Sequence, residues 1–143
     1  MKTQAVIVCE RRGTWATALS RRLHDAAELR QTRGLDECIR DLDAAPASLL
    51  VLELARENLA GVVRLLGQLE RRYPMARAIV VAPRELESYE VLMREAGAVH
   101  FATSPRDCRG LAEIANRHIP MVAVREPQLA AGLWEALPWG DAK

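Results

Sequence analysis

The stretch LLVLELARENLAG, residues 49–61, decides how this chain is read. Four apolar residues run into a carboxylate, Glu53, and the apolar residues that follow at Leu59, Val62, Val63, Leu66 and Leu69 recur at helical spacing. A short apolar run is the pattern of a strand buried on both faces, and a helical stripe behind it is the pattern of a crossover helix. Such a strand delivers its last residue to the rim of a sheet, where α/β proteins place their chemistry.

The same unit repeats on either side. QAVIVCE (4–10) is an apolar, β-branched run, and Trp15, Leu19, Leu23 and Ala26 follow at helical spacing after Gly13. ELRQTRG (28–34) is a polar strand suited to a sheet edge, with Leu35, Cys38, Ile39 and Leu42 forming a short helix before Pro46. SLLVLE (48–53) is the third strand, and its helix is stopped by Tyr73-Pro74. RAIVVA (77–82) is the fourth strand, and Leu86, Leu92, Met93 and Ala96 lie on a helix closed by Gly97. AVHFAT (98–103) is the fifth, and Pro105 opens a helix carrying Cys108, Leu111, Ala115 and Ile119.

Strands alternating with helices over short connections must pair in parallel with right-handed crossovers, so helices cover both faces. The expected fold is α/β, a doubly wound five-stranded parallel sheet in order 2-1-3-4-5 of the flavodoxin type, with its crevice at the C-terminal strand ends. Cys9, Glu10, Glu53, Ala82, Thr103 and Ser104 are expected there. One domain covers residues 1–120, and residues 121–143 are an extension in which Leu129, Leu133 and Leu137 are spaced by four beside Trp134. A short amphipathic helix ending at Pro138 is expected, either packing on its own domain or docking on a second subunit or another protein, with Leu133, Trp134, Leu137 and Trp139 as the candidate interface.

Composition narrows the function. Among 143 residues, 20 basic and 19 acidic side chains leave a net charge of +1, and the arginines are interleaved with acids, as at Glu70-Arg71-Arg72. That is the pattern of solvated helix faces and not of a nucleic-acid patch. The N-terminal apolar run is too short for a signal peptide or membrane span, so a cytoplasmic protein is expected. Cys9, Cys38 and Cys108 are far apart, with no CxxC and no histidine at ligand spacing, which favours reduced thiols over disulfides or a metal. His24, His100 and His118 are equally scattered and read as structural. No GxGxxG or GxxxxGK[ST] follows the first strand, and the arginine of a Cys-x5-Arg loop would fall at Trp15. No enzyme and no cofactor is expected.

In this arrangement, residues 4–119 resemble a response-regulator receiver domain. The family's third strand ends in a phosphoacceptor aspartate followed eight residues later by a glycine, and ELARENLAG keeps that spacing with Glu53 and Gly61. The resemblance also implies two magnesium-binding acids after the first strand, here Cys9 and Glu10. It implies a hydroxyl residue ending the fourth strand, here Ala82, a lysine before a proline after the fifth, here Ser104, and a switch aromatic, here Phe101.

Cys9, Ala82 and Ser104 disable three of the five active-site positions, and Glu53 alters a fourth. Phosphoryl transfer is positioning plus charge neutralisation, and the phosphoryl oxygens would lack a lysine or hydroxyl partner. Glutamate also displaces the nucleophile by about 1.5 Å, one carbon–carbon bond, where a shift of about 1 Å costs roughly 100-fold. Glu53 then either mimics a phosphorylated aspartate or pairs with Arg11, Arg12 or Arg56.

Sequence and resemblance together lead to a degenerate, phosphorylation-independent receiver. It would act in bacterial signalling through a protein partner or a homodimer, with no direct nucleic-acid or membrane contact. The rival readings are a magnesium-dependent phosphoacceptor using Glu53 and a small-ligand sensor using the crevice.

Overall fold

In the computed structural model, residues 4–24 and 27–119 are described, and LLVLE becomes the central strand of a five-stranded sheet. The strands are β1 (Val6–Cys9), β2 (Leu29–Thr32), β3 (Leu49–Glu53), β4 (Arg77–Val81) and β5 (His100–Ala102), all parallel in the order β2-β1-β3-β4-β5. The helices are α1 (Thr14–Ser20), α2 (Leu35–Ala44), α3 (Leu59–Arg72), α4 (Glu90–Ala96) and α5 (108–119). The expected doubly wound fold and strand order are those observed, and the polar strand β2 is an edge strand. The extension, including Leu133, Trp134, Leu137 and Trp139, lies outside the described residues, as does Ala26.

Strand alternation divides the core in two. Ile7, Cys9, Leu50, Leu52, Ala78 and Val80 point toward α2, α3 and α4, while Val6, Val8, Leu49, Val51, Ile79 and Val81 point toward α1 and α5. Because each face is covered, β1, β3 and β4 carry apolar residues at successive positions instead of alternating with polar ones. On α3 the buried stripe is Val62, Leu65, Leu66 and Leu69, with Leu59 and Val63 half-buried beside it.

Three local departures from the periodicity have physical causes. α1 ends at Ser20, and Leu23 reaches its cluster from the turn beyond. Residues Arg84–Tyr89 form 3-10 turns ahead of a short α4, which buries Leu86 and Met93 but leaves Leu92 42% exposed. The tighter winding of a 3-10 segment breaks the 3.6-residue phase that joined Leu86 to Leu92. Gly61 on α3 approaches the start of α2: a Cβ there would lie 2.7 Å from Leu35 Cδ1, so a larger residue would require the end of the Leu35 side chain to shift.

At the opposite end from the strand C-termini, His118 on α5 is buried, and its Nε2–H donates to the Ala47 carbonyl at 2.9 Å. Its Nδ1 has no partner among the described residues. Burial, helped by the Arg77 charge, holds the imidazole below its ordinary value of 6.5, although the Ala47 contact pulls the other way. Below pH 6.5 the unfolded chain takes up a proton that the folded chain resists. Stability from neutral His118 is therefore full above that pH and declines as pH falls through it, at no more than about 1.4 kcal/mol per pH unit. His100, lowered by burial and by Arg94, adds in the same direction. Urea midpoints at pH 7.5 and 5.5 should differ, and His118→Gln, which keeps a neutral donor, should reduce the difference.

Candidate functional site

β1, β3, β4 and β5 end around an open cleft of about 540 Å³. Its lining includes Glu53 from β3, Ala82 after β4 and Thr103 after β5, with Arg11, Arg12 and Trp15 from the segment that leads into α1. Three of the six expected rim residues are therefore in place. Cys9, Glu10 and Ser104 are not part of the lining, and each is drawn elsewhere for a definable reason.

Cys9 is the last residue of β1 and shares the parity of Ile7, so its side chain enters the core under α2 beside Cys38. Glu10, one residue on, turns to the opposite face and is 2% exposed. Its Oε1 accepts the Trp15 N–H at 2.9 Å and its Oε2 accepts the Ala16 N–H at 2.6 Å. These are orphan amides in the first turn of α1, and a carboxylate there satisfies both amides and the positive end of the helix dipole. Gly13, at φ 80°, makes the left-handed turn that brings the helix start back over Glu10. The acid expected as a magnesium ligand is thus hydrogen-bonded to the amides that open α1. Ser104 likewise accepts the Arg106 N–H at 3.2 Å and caps the turn that leads into α5.

Glu53 is half-buried at the rim, and its Oε1 accepts the backbone N–H of Arg11 at 3.3 Å. The expected ion pair with Arg11, Arg12 or Arg56 is not formed. Among the described residues no guanidinium bridges to Glu53, and Arg11 instead reaches Glu57 at 3.8 Å, with both side chains largely exposed. The arginine side chains leave the loops toward water, where solvation competes with pairing. Only the amide of Arg11 is held at the carboxylate, because the β1–α1 loop passes the end of β3.

Asn58 was not among the sequence candidates, yet it organises the loop after Glu53. Its Oδ1 accepts the Ala55 N–H at 2.8 Å and its Nδ2 donates to the Glu53 carbonyl at 2.8 Å. An asparagine just before the helical stripe that starts at Leu59 is the available signal, since asparagine favours helix starts by bonding local backbone. Phe101, the expected switch-aromatic equivalent, is buried in the α2/α3/α4-side core. Ala82 offers the cleft a methyl group and no donor.

No helix among the described residues is long and apolar enough to cross a membrane. They also contain no group of three or more His, Cys, Asp or Glu placed to hold a metal ion.

No family model matches the sequence, and no curated protein matches it. Solved structures do. A CheY-like protein, TadZ, from Pseudomonas aeruginosa superposes with a TM-score of 0.62 at 20% identity, covering 79% of this chain and 93% of its own. NtrX from Brucella abortus, in complex with ADP, gives 0.63 at 20% identity over 92% of this chain and 30% of its own. A protein described as pilus assembly-related from Burkholderia pseudomallei gives 0.55 at 19% identity, covering 80% and 90%. At this identity the likeness establishes a shared fold, that of CheY-like receivers.

Proposed function

We propose that this chain is a receiver-like protein-interaction module of bacterial signalling or regulation that works without phosphorylation. The observation that carries the reading is the commitment of Glu10, whose two carboxylate oxygens serve the amides of α1. With Ala82 at the hydroxyl position and Ser104 at the lysine position, its Oγ already accepting the Arg106 amide, a phosphoryl group on Glu53 would meet no donor from Ala82 and no cation from position 104. Glu53 serves as a loop fastener through the Arg11 amide. The receiver-like neighbours, one of them described as pilus assembly-related, are consistent with output through contacts.

The partner is a second copy of the chain, meeting it across α4 and the turn into β5. Val91 is 65% exposed, Leu92 42% and Val99 37% on this side of the sheet. The surrounding charges are of both signs and already paired along the helices, Glu90 with Arg94 and Arg109 with Glu113. A surface carrying both signs can complement itself about a two-fold axis, as isologous dimers require. The tail positions Leu133, Trp134, Leu137 and Trp139 supply a candidate second contact.

A small-ligand reading of the cleft has its own support in Arg11, Arg12, Thr14 and Thr103, which line a volume large enough for a small anion. Three measurements separate the readings. Intact mass after a small phosphodonor with magnesium should show no phosphoryl addition, and a Glu53-dependent addition would overturn the proposal in favour of the phosphoacceptor. Sedimentation should show a dimer that Val91→Asp dissociates, whereas a monomer at all concentrations would remove the second-copy assignment. A thermal shift with anionic metabolites would move the function to the cleft.

A further inference from the structure

Two thiols 29 positions apart in the chain meet inside the α2/α3/α4-side core. Cys9 closes β1, in register with Thr32 of β2 and Leu52 of β3, and Cys38 projects from α2 onto that same strand end. Cys38 is fully buried and Cys9 is 5% exposed. The two side chains are within hydrogen-bonding reach of each other. Cys108, the third thiol, is buried on the other face of the sheet, between α5 and the α1-side core.

We propose that Cys9 and Cys38 are a reversible oxidation site that closes to an intramolecular disulfide when the protein meets a hydroperoxide. The arrangement has two parts such a site needs, a thiol to attack and a resolving thiol already beside it. The S–H of Cys38 donates to the Cys9 sulfur. This contact holds the Cys9 thiol below its ordinary range against the opposing effect of burial, and it pushes Cys38 well above that range. The two effects run in opposite directions and favour ionisation of Cys9 over Cys38. Burial pushes Cys108 upward against the opposing Arg22 charge, with no thiol among the described residues contributing.

The chemistry balances without any other group. The Cys9 thiolate attacks one peroxide oxygen, the O–O bond breaks, and the leaving oxygen takes a proton from water, giving a sulfenic acid on Cys9. The Cys38 sulfur then attacks the Cys9 sulfur and the S–O bond breaks. The departing hydroxide leaves as water with the Cys38 proton. Two thiols and one hydrogen peroxide become one disulfide and two waters. Two equivalents of a small thiol reverse it by exchange, as reducing compartments require. The bond would tie α2 to the strand end one residue before Glu10, the group that positions α1.

The test uses the full native chain treated with hydrogen peroxide, then alkylated and mapped without reduction. The expected result is an intact mass lower by two hydrogens and a linked Cys9–Cys38 peptide pair. Cys108 should remain alkylatable, reacting at least about tenfold more slowly, and dithiothreitol should restore the free thiols. In Cys38→Ser, dimedone should trap the sulfenic acid on Cys9. Since the mapping is done on the unaltered protein, a misfolded variant would not decide the outcome. Loss of Cys108 at the same rate, a link between two chains, or a link that appears only in urea would overturn the proposal.

Discussion

Replacing Glu10 by alanine should unfold this protein more readily than any other change at the strand ends, at a cost of about 3 kcal/mol. The carboxylate is 2% exposed and accepts two backbone amides, from Trp15 and Ala16. Its removal leaves both donors buried without acceptors and deprives α1 of its N-terminal anion. For a domain of this size that corresponds to a fall in melting temperature of roughly 10 °C. Glu10→Gln should lie between, because an amide keeps one acceptor but turns its NH₂ toward an N–H. Glu53→Ala is the control. One long hydrogen bond at a half-exposed rim position should cost under about 1 kcal/mol. Urea denaturation of the three variants checks the order. Equal losses for Glu10→Ala and Glu53→Ala would mean that Glu10 does not hold α1.

Leu52→Ala should have a similar or larger effect, about 3–4 kcal/mol. Leu52 is fully buried in the central strand, in register with Cys9 on one side and Val80 on the other, and it faces α2 and α3. A sheet covered on both faces has little freedom to collapse into the space left by three carbons, so a cavity term adds to the lost transfer energy. The same substitution at Leu92, 42% exposed on α4, should shift the urea midpoint little. This contrast matters because helical spacing alone groups Leu92 with Leu86 and Met93. A strong loss at Leu92 would place it in the core and argue against its surface role.

Much of the architecture was legible before any coordinates. The continuous apolar runs at 6–9, 49–52 and 78–81 fit strands buried on both faces of a parallel sheet, and crossover handedness then leaves few topologies. The polarity of Leu29–Thr32 marked it as an edge, which is its place beside β1. The candidate site was legible in part. The spacing from Glu53 to Gly61 located the strand end and the following helix correctly, yet the close approach of Gly61 to Leu35 on α2 is one that no local pattern records. Asn58 carries the general helix-start signal of an asparagine ahead of Leu59, but its partners, the Ala55 amide and the Glu53 carbonyl, are backbone groups that side-chain patterns do not single out. The 3-10 turns before α4 shifted the helical phase and turned Leu92 outward.

By itself, then, the sequence determined the order of elements, the parallel doubly wound sheet, its crevice and the acid at the end of β3. Hydrophobic periodicity and connection length act over short stretches and are written residue by residue. Only the tertiary structure decided which strand-end side chains face that crevice. Parity along β1 sends Cys9 to Cys38 and Glu10 to the opposite face, and the unpaired amides of α1 then capture the carboxylate. A buried carboxylate goes to the strongest donors within reach, and the location of those donors is set by packing between elements that are distant in the chain.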